Sequence, residues 1–334
     1  MPVIMTEPSA SLLPVRYLPI DETRAGQRLD NFLLAVLQGL PRTRLYKLLR
    51  EGQVRVNKKR VAPSYRLVLG DTVRLPPMQL PLPGEIRELK ISETLATLIT
   101  TRILLETDDL LVLNKPSGMA VHGGSGLRFG VIEAVRALRP QQKFLELAHR
   151  LDKETSGCLL IAKSRTMLVN LNQLLRDNEV KKTYLALVHG RWPRHLHRVD
   201  APLLKNELAS GERVVRVRAE GKESSTTFNI RHVYADVNIP VNDGCMTLIE
   251  AHPITGRTHQ IRVHAAHAGH PLVNDDKYGD SRINATIHRQ GLKRLFLHAA
   301  KIQFTLPGES ERLVIEAPLD ADLQAYLDFL ESGY

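Results

Sequence analysis

Cysteine, aromatic residues and long apolar runs are all scarce in this chain. Two cysteines among 334 residues, Cys158 and Cys245, cannot build a disulfide framework and do not have metal-ligand spacing. A reducing compartment is the expectation. Aromatics amount to 5% with a single Trp, which leaves the core to aliphatic side chains. No apolar run approaches the roughly 18 residues of a membrane span. The first twenty residues carry Pro2, Pro8, Pro14 and Pro19 and no basic stretch leading into an apolar one, so no secretory leader is read there. These absences predict a cytoplasmic protein with no membrane partner. Wholesale disorder is excluded by a 43% hydrophobic and 25% charged composition. At about 150 residues per domain, the length suggests one large and one small domain.

Positive charge is in excess and is concentrated. Lys plus Arg number 46 against 36 Asp plus Glu, a net charge of +10, which favours a polyanionic partner. Residues 42–66 hold nine cations and one acid, Glu51, and so carry +8 of that charge. Leu29, Phe32, Leu33, Val36 and Leu37 recur at helical spacing, with Asp30 near the start, and Leu40-Pro41 ends the run. A second helical pattern aligns Leu45, Leu48 and Leu49 while Arg42, Arg44, Lys47 and Arg50 fall largely elsewhere, and Gly52 stops it. Gln53 to Asn57 alternates as a strand, Lys58, Lys59 and Arg60 occupy the turn after it, and Gly70-Asp71 precedes the alternating Thr72 to Leu75. Charge alone fits a solvated face as well as an RNA-binding one. Arg28-Leu29-Asp30, Arg42 through Leu49, Glu51 through Asn57 and Gly70-Asp71 resemble the S-four-type RNA-binding module, which implies that the second helix and the turn face RNA.

Four prolines between Pro76 and Pro83 preclude a helix or central strand and mark a stiff linker. The expected organisation is a flexible tail over 1–22, a small α/β RNA-binding domain over 23–76, a proline-rich linker over 77–100 and a catalytic domain over 101–334. In that body Ile103 to Glu106 and Leu110 to Asn114 read as a hairpin. Val131 to Leu138 reads as a helix, Leu159 to Ala162 as a buried strand, and Ser164 as the cap of a strong helix. Further strands are predicted at Tyr184 to Val188, Met246 to Ala251, Phe296 to Phe304 and Leu313 to Glu316, and a last helix over Asp320 to Leu330. Strands dominate, so the fold class is α+β with a mainly antiparallel, mixed sheet.

The polar loop His149-Arg150-Leu151-Asp152-Lys153-Glu154-Thr155-Ser156-Gly157 lies between apolar segments, where catalytic residues tend to sit. Asp152 beside Arg150 is compatible with a charge-paired, ionised carboxylate, but from the residues alone a structural Asp bonding turn amides is the more ordinary reading. The loop resembles the signature of RluA-type pseudouridine synthases. Leu113 through Gly118, Lys182 through Ala186 and Gly256 through His264 resemble family motifs in family order. Ala120 through Gly130, Ala201 through Asn206 and Leu295 through Ala300 resemble the RluC branch. The resemblance implies Asp152 as the catalytic residue at the ribose of a target uridine, Tyr184 as the aromatic packing on the flipped uracil, Arg262 as the cation paired with Asp152, and Arg150 as a residue holding the displaced RNA or base. It also implies large-subunit (23S) ribosomal RNA as substrate and partner, and no cofactor. Such isomerisation breaks a glycosidic bond, rotates the uracil and rejoins it through carbon 5, and the base must first leave its stack.

Other readings accompany these. Tyr184 also fits a half-buried strand residue, Arg262 an exposed helical charge, and Cys158 a small buried apolar group. His264, His267 and His270 invite a zinc site, but three-residue spacing drifts about 60° per step around a helix, no thiol accompanies them, and no metal is expected. A transfer-RNA specificity, a non-catalytic RNA-binding assembly protein and a carboxylate-and-histidine hydrolase are the alternatives. Intact Asp152, Tyr184 and Arg262 argue against the second. The third lacks a metal cluster or a pair of histidines.

Overall fold

The computed structural model describes residues 12–22, 24–37, 40, 42–79, 91–123, 130–207, 213–235, 237 and 244–333. The chain divides into two compact units, Met1–Lys90 and Ile91–Tyr334.

The smaller unit contains β1 (Leu12–Leu13), β2 (Arg16–Pro19), α1 (Leu29–Val36), α2 (Arg42–Arg50), β3 (Arg55–Val56), β4 (Thr72–Leu75) and β5 (Met78–Gln79). Strands β2, β4 and β3 form an antiparallel sheet in that order, and β1 pairs with β5. The apolar stripes of α1 and α2 bury Leu29, Leu33, Leu37, Leu45 and Leu49 in one core with Val56 and Val73. Two carboxylates in the motifs hold this unit together. Asp30 is buried and accepts from Arg28 NH2 and Nε at 2.7 and 3.1 Å and from the Tyr46 hydroxyl. Buried Asp71 accepts from Asn57, Tyr65 and the Val68 amide. Asn57 and Lys58 both adopt positive φ, 49° and 65°, closing the tight turn that lifts Lys58 and Lys59 into solvent.

The larger unit contains α3 (Glu93–Thr100), β6 (Ile103–Glu106), β7 (Leu110–Lys115), α4 (Val131–Leu138), β8 (Glu146–Leu147), β9 (Ser156–Ala162), α5 (Arg165–Arg176), β10 (Lys181–His189), β11 (Arg198–Asp200), β12 (Leu203–Glu207), β13 (Arg213–Val217), β14 (Ser225–Tyr234), β15 (Met246–Pro253), α6 (Gln260–His267), α7 (Ser281–Arg289), β16 (Leu297–Thr305), β17 (Arg312–Glu316) and α8 (Ala321–Glu331). Eight strands follow the order β11-β14-β15-β10-β16-β9-β7-β6, with β17 added to β16 and β8 to β9. All of these pairs are antiparallel except β16 with β9, so the sheet is mixed as its sequence predicts. β7 and β9 are buried along their whole length, which explains their unbroken apolar runs. The β12–β13 hairpin stands apart.

Two boundaries differ from those expected of composition. The expected tail over 1–22 includes β2, whose Tyr17 and Leu18 pair with Arg74 and Val73, and the buried Ile20. A strand recruited by a distant edge leaves no local signal. The expected linker over 77–100 includes α3, capped by the Ser92 hydroxyl and anchored by fully buried Ile99. Its prolines past Pro77 lie outside the described residues.

Candidate active site

The loop between β8 and β9 is held by backbone bonds that its sequence neighbours do not supply. Lys115, at the end of β7, is fully buried, and its ammonium donates to the carbonyls of Pro116 (2.8 Å), Met119 (2.8 Å) and Lys153 (3.0 Å). All three protons therefore have an acceptor, although burial pushes the Lys115 pKa down to about 7. Ser117 donates to the Glu154 carbonyl at 2.7 Å, and the Asp152 carbonyl accepts from the Thr155 amide. Downstream, the Ser156 hydroxyl meets His298 Nδ1 at 2.8 Å and Arg294 at 2.6 Å. Gly157 has φ +108°, and a Cβ there would lie 2.3 Å from the Ala299 carbonyl oxygen where β9 meets β16. Only glycine fits at that contact. The motif from Leu113 to Gly118 thus serves as a clamp on the Asp152 loop.

Asp152 lies in a cleft of ≈ 390 Å³, with Tyr184 and Lys182 from β10 and His259 and Arg262 from the α6 segment among its walls. Tyr184 sits where the β10–β16 register shifts, between Thr183↔Lys301 and Leu185↔His298. The extra residue belongs to β16, where Ala299 and Ala300 together oppose Tyr184, so β10 keeps its alternation. Burial, and then the nearby Asp152 charge, raise the Tyr184 pKa, so its phenol stays protonated at neutral pH. His149 accepts from the Leu160 amide at 3.1 Å, and burial pushes its pKa down to about 4. Arg150 is exposed at the rim.

Gln260 orients α6: its amide donates to the Ser225 carbonyl and the Thr226 hydroxyl, and its carbonyl oxygen accepts from Thr255 and the Arg257 amide. His259 caps this helix at φ 53°. Its Nε2 lies 3.8 Å from Asp152 Oδ2, and its Nδ1 lies 2.8 Å from the Tyr278 hydroxyl. That hydroxyl also accepts the Val215 amide at 3.1 Å; a ring that takes the phenol proton at Nδ1 turns Nε2–H toward the carboxylate. Burial holds the His259 pKa below its ordinary value, against the opposing pull of Asp152.

The pairing of Arg262 differs from the one the resemblance implies. Its guanidinium forks Asp275, Nε to Oδ2 and NH2 to Oδ1, both at 2.7 Å, and lies over the Tyr278 ring. The Asp275 side chain is fully buried and also accepts the amides of Lys277 and Tyr278. A planar fork against a preformed, desolvated carboxylate outcompetes one held on another loop. Burial would lower the Arg262 pKa, but Asp275 outweighs it and the value is raised. Asp152 is within the field of Arg262 without being its ion-pair partner.

Both units match known families. Residues 109–267 match the RNA pseudouridylate synthase family, and residues 27–73 match the S4 domain. The chain is 51% identical over 321 residues to the Ribosomal large subunit pseudouridine synthase C of Haemophilus influenzae, covering 96% of each chain. It is also 51% identical to the protein of that name from Escherichia coli, over 96% of this chain and 98% of the other. This chain belongs to the RNA pseudouridylate synthase family. Among solved structures, Human RNA Pseudouridylate Synthase Domain Containing 4 superposes with a TM-score of 0.56 at 27% identity, over 71% of this chain and 96% of that one. The synthase fold and the RNA-binding head expected from the motifs are both present.

Within this synthase, Asp152, Tyr184, Arg262 and Arg150 line one cleft. In the S4 unit, Arg44, Lys47, Arg50, Lys58, Lys59 and Arg60 are exposed. Lys47 pairs loosely with Glu51 at 3.8 Å, and Arg60 donates to the Arg50 carbonyl. The Arg42 side chain lies outside the described residues. Of the three histidines His264, His267 and His270, His264 binds Thr226 and the Ala201 carbonyl, and His270 binds the His189 carbonyl. Sequence reasoning passed over His259, which lies inside a quoted motif, and Asp275 and Tyr278, for which no spacing signal stood out. In sequence Lys182 stands out only as the first residue of the Lys182 to Ala186 motif. Cys158 is buried and its pKa is pushed up to about 12, as for an inert core thiol.

Proposed function

We propose that the cleft converts uridine to pseudouridine in large-subunit ribosomal RNA, with Asp152 as the catalytic carboxylate. The observation that carries this reading is the half-buried Asp152 facing the Nε2 of a His259 whose other nitrogen is engaged, with the protonated phenol of Tyr184 on the cleft wall. The reaction breaks the bond between ribose C1′ and uracil N1 and forms one between C1′ and C5. The C5 proton is lost and N1 gains one, so no redox partner or leaving group is needed. One carboxylate must act at the sugar while the detached base is retained. Tyr184 supplies an apolar platform for the flipped uracil, and Arg150 at the rim contacts the displaced RNA. The S4 unit supplies phosphate contacts through its exposed cations. The names of the relatives support a large-subunit substrate, and we place the activity in the cytoplasm.

The test is release of tritium from uracil C5 in transcribed large-subunit ribosomal RNA, followed by mapping of the modified positions. Wild-type protein should release tritium, and Asp152→Asn should release none while binding the RNA within a few fold of wild type. Turnover by the pure variant comparable with wild type would falsify the assignment of Asp152. Modification confined to transfer RNA would replace the substrate.

A further inference from the structure

Residues alternate faces along a strand, so Lys182 and Tyr184 leave β10 on the same side and both line the catalytic cleft. Lys182 is partly buried, yet among the described residues its ammonium has neither a hydrogen-bond partner nor an ion pair. Its pKa is lowered by burial alone, with no carboxylate offsetting it. Its charge is felt within the cleft, where it helps to depress His149. A desolvated cation without a counter-charge is costly unless a ligand supplies one.

The charge inventory of the cleft shows what is missing. Four cations line it, Arg150, Arg176, Lys182 and Arg262, against one acid, Asp152. Asp275 already neutralises Arg262. The remaining three cations face a single carboxylate, a surplus of two. A nucleotide swung out of an RNA strand brings a phosphodiester on either side, each with one negative charge. On the reading that this cleft takes a target uridine, we propose that Lys182 is a binding residue for one of the two phosphodiesters flanking that uridine. It seats the backbone while Tyr184, two positions along the same strand, carries the base. A flexible ammonium suits this task because it accommodates a phosphate oxygen from several directions.

Two measurements test this on the full chain, with Lys182→Gln and Lys182→Met as neutral variants. Filter binding to transcribed large-subunit ribosomal RNA across a salt series should show the slope of log affinity falling by about one in each variant. An unchanged slope overturns the proposal. The RNA-free variants should melt no lower than wild type, since no native bond is lost, which separates the effect from unfolding. In the second measurement, an oligoribonucleotide spanning a mapped uridine is made with one uncharged methylphosphonate, either 5′ or 3′ of it. Wild type should lose about tenfold in affinity at one of these positions, the scale of a charged hydrogen bond, and the variants should lose nothing further there. Variants as sensitive as wild type at both positions would show that Lys182 contacts something else, the uracil ring included. Should wild type release no tritium from any uridine, the functional reading falls, while the salt slope still decides whether Lys182 meets phosphate.

Discussion

His259 Nε2 faces Asp152 Oδ2 at 3.8 Å while the Tyr278 hydroxyl holds the opposite nitrogen of the same ring at 2.8 Å. The two contacts continue to the Val215 amide of β13, which donates to the same hydroxyl. The β12–β13 hairpin is thereby linked through Tyr278 to the imidazole that faces the carboxylate.

Tyr278→Phe removes the hydroxyl that holds His259 Nδ1 and accepts the Val215 amide. Of the two bonds lost, the one to His259, about 1 kcal/mol, should slow single-turnover tritium release about fivefold and leave RNA affinity unchanged. The ring itself remains over Arg262, so packing is conserved. A rate equal to wild type would remove the Val215–Tyr278–His259 line from the mechanism.

Lys115→Met keeps the length of the side chain and strands the carbonyls of Pro116, Met119 and Lys153. A buried acceptor left without a donor costs about 1–3 kcal/mol, and of the three only the Pro116 bond is fully buried. The expected outcome in urea unfolding is a loss of about 3 kcal/mol or more, together with slower chemistry because the Asp152 loop loses its clamp. Stability within about 0.5 kcal/mol of wild type, the range of an inert surface change, would show that the clamp is dispensable.

Acid should act on the Glu106 cluster. Bonds from Arg139 at 3.0 and 2.6 Å and Lys163 at 3.1 Å outweigh partial burial and hold the Glu106 pKa down to about 2, against 4.5 for a free glutamate. A depressed carboxylate contributes stability above its unfolded pKa and loses it as pH falls through the folded one. The contribution is therefore full above about pH 4.5 and gone by about pH 2. The side chain is 31% exposed, so solvent screening limits the effect to about 1 kcal/mol. The stability gap between wild type and Glu106→Gln in urea titrations should close over that interval. A gap constant with pH would contradict the pairing.

In the S4 unit, Arg44, Lys58 and Lys59 are exposed, and among the described residues their side chains have no bonded partner. Neutralising all three to Gln should lower the salt slope of binding to large-subunit ribosomal RNA by about three, at unchanged melting temperature. Catalysis at saturating enzyme should persist, because Asp152 belongs to the other unit. If the charges form a solvated face instead, the slope will stay where it is.

Much of this architecture was legible because it is local. The helix over Val131–Leu138 follows from its apolar period, and α5 begins where the Ser164 hydroxyl accepts the Met167 amide. The β6–β7 hairpin turns where Thr107-Asp108-Asp109 predicts. The basic turn at Lys58 and Lys59 and the loop carrying Asp152 were likewise visible, since turn chemistry and charge density act over a few residues. Unforeseen were β2, β11 to β14 and α7, whose short or mixed patterns are defined by distant partners. The pairings within the site were not written locally either. Arg262 and Asp152 are both present in sequence, but a carboxylate 13 positions beyond Arg262, at Asp275, binds its guanidinium, because the fold brings that buried fork together first. Lys182 is one of two adjacent lysines in sequence. Only the placement of β10 between β15 and β16 directs it into the Asp152 cleft, where among the described residues it has no counter-ion. Short-range periodicity and turn propensity thus determined the elements and the catalytic loop, whereas distance and desolvation, which exist only once the sheet has closed, decided which charges are paired.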